Sequence, residues 1–61
     1  MENNFVVTNR DIIRMHLEEF MREYPDQTIF TLLGYCVGYY GSVDMDILFV
    51  VDTLHKEGKI R

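Results

Sequence analysis

The chain reads as a mainly α domain of three helices with short β-type segments between them, and three observations lead there. Apolar residues recur at helical spacing along Ile13, Leu17, Phe20 and Tyr24, and again along Ile47, Val50, Val51 and Leu54. Pro25, Gly41 and Gly58 punctuate the ends of the helical stretches. Thr28-Ile29-Phe30 and Lys59-Ile60-Arg61 are short enough, and rich enough in β-branched or aromatic residues, for small strands.

The first helix is expected to open at Thr8-Asn9-Arg10-Asp11. There a hydroxyl or amide accepts free amide hydrogens, and an acid follows three residues on. Its apolar stripe should face inward while Arg14, Glu18, Glu19 and Arg22 face water. Pro25 ends it, because the residue before a proline is pushed out of the helical region. Ahead of it, Phe5-Val6-Val7 forms a short apolar run that could offer a strand edge.

Thr31 is expected to cap a second helix over Leu32–Tyr40, which is apolar almost all round, with Leu33, Cys36, Val37 and Tyr40 inward. Gly34 and Gly38 lie one turn apart, each costing about 1 kcal/mol relative to alanine, so close packing is expected there. Gly41 stops the helix in the left-handed conformation, Ser42 begins the next, and the third helix runs from about Val43 to Glu57 before Gly58 closes it. Lys59-Ile60-Arg61 could then pair with Ile29-Phe30 or with Phe5-Val6-Val7.

Sixty-one residues form one domain, 1–61, close to the smallest size that folds without staples. Four Phe, four Tyr and 48% hydrophobic residues are rich for that size and argue against disorder. A net charge of -4 and a pI near 4.9 disfavour unspecific attraction to phosphate backbones or anionic membranes. Cys36 is the single cysteine, so no internal disulfide exists and a reducing cytoplasm fits. Met1-Glu2-Asn3-Asn4 lacks a basic leader region, and no apolar run reaches the roughly 18–20 residues that span a bilayer, so an unexported, soluble chain is expected.

The element order, with the pattern Leu33 to Tyr40, Gly41, Ile47, Val50, Leu54 and Glu57-Gly58-Lys59-Ile60, resembles the helix-turn-helix core of the winged-helix family across residues 8–61. The resemblance implies that Gly41 makes the turn between helices two and three, that Ile47 packs beneath it, and that Glu57-Gly58-Lys59-Ile60 leads into a first wing strand. Val37 stands where the family has a small alanine, Ser42-Val43 replaces an apolar residue followed by serine, and the sequence ends at Arg61 before a second wing strand.

In that family the outward residues of the third helix enter the major groove and touch base edges. Here no Lys or Arg occurs between Ser42 and His55, whereas Asp44, Asp46 and Asp52 do. The outward side, with Met45, Leu48, Phe49 and Asp52, reads as a protein-binding patch, or else as core with a packing partner elsewhere. Tyr35, Tyr39 and Tyr40 cannot all point inward, so Tyr35 and Tyr39 join the patch as partner-binding candidates or pack over the domain's edge. The three aspartates suit helix capping and a solvated face; a metal site or a mimic of DNA charge is the sharper alternative.

His16 and His55 stand at no metal-ligand spacing with Cys36, the glycines form no phosphate loop, and Cys36 reads as a buried, inert thiol. No enzyme, cofactor or small-molecule substrate is expected. The sequence therefore points to a protein-interaction module or regulator that binds a partner protein, or itself as a homodimer, through helices two and three. In its brevity it is similar to accessory proteins of phages or mobile elements. The alternatives are a minimal DNA-binding regulator using Arg10, Arg14, Lys56, Lys59 and Arg61, and an acidic DNA-mimic inhibitor.

Overall fold

A computed structural model describes residues 8–61 as three helices, α1 (Asn9–Glu23), α2 (Ile29–Tyr40) and α3 (Met45–Lys56). The run Phe5-Val6-Val7, with the strand edge expected of it, lies outside the described residues. No described helix is long and apolar enough to cross a membrane.

Local hydrogen bonding sets the start of each helix. At α1 the Thr8 hydroxyl accepts from the Asp11 amide at 3.2 Å while the Asp11 carboxylate accepts from the Thr8 amide at 3.1 Å, a reciprocal capping box. At α2 the same device is built from Thr28 and Thr31, not from Thr31 as cap. The helix therefore begins at Ile29, one turn earlier than the sequence suggested, and Thr28-Ile29-Phe30 is its cap and first turn rather than a strand. At α3 the Asp44 carboxylate accepts from the Ile47 amide at 2.9 Å, so Asp44 takes the capping role expected of Ser42.

The stops are equally local. Gly41 closes α2 at φ 86, and Gly58 at φ 79 closes α3, with Lys59 N–H donating to the Leu54 carbonyl and Gly58 N–H to that of His55. Those two bonds form a Schellman motif, which a non-glycine residue would strain at this φ.

After Gly58 the chain folds back onto the start of α2. The first amide of α2, Ile29 N–H, donates to the Arg61 carbonyl at 2.9 Å, and Arg61 N–H reaches the Gln27 carbonyl at 3.4 Å. A helix leaves its first amides without intrahelical partners, so the C-terminal backbone satisfies one of them. Among the described residues no strand forms; the pairing expected between Lys59-Ile60-Arg61 and Ile29-Phe30 is replaced by this clamp, which seats Ile60 in the core.

That core consists of Ile13 and Leu17 from α1, Leu32 and Cys36 from α2, Ile47, Val50, Val51 and Leu54 from α3, and Ile60. No described polar or charged residue is buried. On α1 the stripe Ile13–Leu17 holds, Phe20 packs at its margin and Tyr24 points out. On α2 the inward set is Leu32 and Cys36 with Leu33 and Tyr35 flanking; Val37 and Tyr40, expected inside, are exposed. A helix that is apolar all round has no polar face to fix its phase, so contacts with α1 and α3 decide it.

Ionic contacts tie α3 and its C-terminal extension to α1. Arg14 holds Glu57 through two nitrogens, at 3.1 and 2.6 Å, and donates from Nε to Glu18 at 3.1 Å. Asp46 accepts from Asn9 and from Arg10 Nε, both at 2.9 Å. These bonds favour the charged carboxylates: Asn9 first and Arg10 second hold Asp46 below its ordinary 3.8, Arg14 holds Glu57 below 4.5, and the Thr8 amide, then its hydroxyl, lowers Asp11.

Two predictions arise from this packing. Leu54 is fully buried, so Leu54→Ala should cost about 2–5 kcal/mol in urea unfolding. Because a domain of this size is worth on the order of 3–9 kcal/mol in all, the variant should lose a large share of its stability and its urea midpoint should fall sharply; a native-like midpoint would remove Leu54 from the core. The second concerns acid. The folded carboxylates release protons more readily than the unfolded ones, so their stabilisation is complete above the ordinary values and is lost as pH falls through the lowered folded ones. The urea midpoint should therefore drop between about pH 5 and pH 2, and the double variant Asp46→Asn, Glu57→Gln should flatten that drop. An unchanged slope would show that neither carboxylate is tied in solution.

Candidate functional site

The helical phase of α3 follows from its buried residues, Ile47, Val50, Val51 and Leu54. With a step of about 100° per residue, Met45, Leu48, Phe49 and Asp52 share the opposite face. Met45 is 75% exposed and Phe49 50%, with Leu48 also exposed. Asp52 accepts from Lys56 at 3.0 Å one turn on. The Arg10 guanidinium lies 4.0 Å from the centroid of the Phe49 ring, covering one of its faces, a contact worth about 0.5–1 kcal/mol at an exposed site. Phe49 is therefore a surface residue with one side held by α1.

Tyr35 and Tyr39 belong elsewhere. Both lie in an aromatic group between α1 and α2 centred on His16, whose Nε2 is 2.7 Å from the Tyr35 hydroxyl and whose Nδ1 is 2.7 Å from that of Tyr40. A neutral imidazole can satisfy both hydroxyls, donating to one and accepting from the other. The Tyr39 ring leans on the imidazole at 4.4 Å between centroids, and Phe20 stacks on Tyr35 at 3.7 Å. Desolvation, then the charges of neighbouring groups, raises Tyr35 and Tyr40 above their ordinary value. The six partner-binding candidates thus split into an α3 face, Met45, Leu48, Phe49 and Asp52, and a separate α1–α2 seam. An open cleft of about 320 Å³ runs beside that seam, bordered by His16, Glu19, Phe20, Glu23 and Tyr24.

A further apolar surface lies on α2. Phe30 is 85% exposed and Val37 exposed, and they share the outward side of the helix with Gly34 and Gly38. The close packing expected at these glycines does not occur within the domain: among the described residues, no atom lies within 4 Å of where a Cβ would stand at either. Sequence reasoning missed Phe30 because it placed this residue in a strand. The signal that would have found it is Thr28-x-x-Thr31, a capping pair that starts the helix a turn sooner.

Four of the five cations of the DNA-contacting alternative are engaged inside the domain. Arg10 is bonded to Asp46, Arg14 to Glu18 and Glu57, and Lys56 to Asp52; Lys59 stands between Glu18 at 3.7 Å and Glu57 at 3.9 Å. Arg61 contributes its backbone to the clamp on α2. The three aspartates have local partners too: Asp44 caps α3, Asp46 faces Asn9 and Arg10, and Asp52 faces Lys56. Burial pushes the Cys36 thiol above its ordinary value, which keeps it protonated and unreactive. No family model, curated protein or solved structure matches the chain.

Proposed function

We propose that this chain is a small protein-interaction module on a winged-helix-like scaffold, acting in a reducing, cytoplasmic setting, and that it engages a partner protein or a second copy of itself through the outward faces of α2 and α3. The observation that carries the reading is the α3 face: where a nucleic-acid reader needs donors for base edges, Met45, Leu48 and Phe49 present apolar area beside Asp52. A half-exposed Phe beside an exposed Leu and Met forms an anchor of the kind that dominates protein interfaces, each side chain worth up to about 1.5–3 kcal/mol when covered.

Electrostatics supports the same choice over a DNA-binding regulator. A phosphate that approaches a cation paired with a carboxylate also meets that carboxylate's negative charge, which lowers the attraction the cation would offer alone. Arg10, Arg14, Lys56 and Lys59 are all in that position. The DNA-mimic alternative draws less support, since Asp44 and Asp46 are turned to capping and to Arg10.

The test is Phe49→Asp in the full chain. Half of the ring is already in water, and the new carboxylate meets Arg10, so circular dichroism and the urea midpoint should move by less than about 1 kcal/mol. Capture of the partner from native extract should weaken by at least about thirtyfold, as for loss of an interface anchor. An unfolded variant would make Phe49 structural, and tight, steeply salt-dependent binding of a defined duplex by the parent chain would overturn the reading in favour of DNA.

A further inference from the structure

On the same reading of α2 and α3 as contact faces, we infer that the outward face of α2 is covered by a second copy of this chain, the two α2 helices lying antiparallel with their two-fold axis at Gly34. Phe30, Gly34 and Gly38 are spaced four apart and so form one stripe along the helix. Antiparallel pairing about Gly34 places residues equally distant from it face to face. Phe30 of one copy then meets the partner's Gly38, and Gly38 meets the partner's Phe30. The ring that stands 85% exposed fills the space left open at the glycine, twice over by symmetry. A parallel pair would set Phe30 against Phe30 and glycine against glycine, filling nothing.

Charge points to a like partner as well. The chain carries a net -4, so two copies repel wherever their charged surfaces meet. Yet from Gln27 to Val43 there is no Asp, Glu, Lys or Arg, and α2 is the one helix without a charged side chain. Two acidic bodies can therefore touch along this face without bringing like charges into contact. The glycines weaken α2 as an isolated helix and meet nothing within the described domain. Against a second helix they allow the backbones to approach closer than the usual 8–10 Å, which is about the spacing set by larger side chains.

Light scattering on the full chain over a concentration series should show a monomer–dimer equilibrium. Gly38→Leu fills the hole and Phe30→Ala removes the knob; both sites are open to solvent, so the far-ultraviolet helix signal should persist while the dimer dissociation constant rises at least about tenfold. Position is read separately by cross-linking, with the buried Cys36 left in place: Gly34→Cys should form an intermolecular disulfide on the axis, and Phe49→Cys should not. A chain monomeric at every concentration, or a dimer indifferent to Gly38→Leu, overturns the inference. Cross-linking at Phe49→Cys instead of Gly34→Cys would also overturn it, moving the dimer to α3 while leaving the wider reading of these helices as contact faces intact.

Discussion

The hydrophobic core is organised around the buried stripe of α3. Among the described residues Ile47, Val50, Val51 and Leu54 supply four of nine buried hydrophobic side chains, and α1, α2 and the returning C-terminus close around them. A domain this small has no second layer to draw on, so with one side of α3 buried the other side is covered, among the described residues, only in part, by Arg10 over Phe49. The exposure of Met45, Leu48 and Phe49 is the geometric counterpart of that burial. The feature that makes the fold possible therefore also creates the surface on which the proposed interaction rests.

The charged residues complete the same arrangement from outside. Arg14 with Glu57, and Arg10 with Asn9 and Asp46, tie α1 to α3 at the rim of the core, where each exposed pair is individually weak but the pairs act together on one seam. Their second consequence is on the surface potential. Each paired cation has a carboxylate beside it that lowers the positive potential it presents, and this holds for Arg10 and Lys56 at the α3 face itself.

Much of the architecture was legible without coordinates. Three helices, the Thr8 cap with Asp11, the stop before Pro25, the turn at Gly41, the inward set of α3 and the closing role of Gly58 all match the structure. The errors cluster on α2. The helix starts a turn before the strand-like pattern of Thr28-Ile29-Phe30 suggests, and Leu32 takes the core place expected of Val37 and Tyr40. Tyr35 and Tyr39 were grouped with the α3 face although they pack around His16. On a helix with apolar residues on every side, the sequence holds no contrast from which to read a direction.

Capping boxes, helix stops and glycine turns are made by hydrogen bonds that span three to five residues, so the order of residues alone determined them, as it did the inward stripe of α3, where polar and apolar positions alternate at the helical period. The tertiary structure decided which side of α2 is buried, which carboxylate each cation meets and where the C-terminal backbone docks. Those outcomes join residues as much as 43 apart, for which Arg14 and Glu57 are the example. They are set by competition among whole packing arrangements, and no local pattern records the winner.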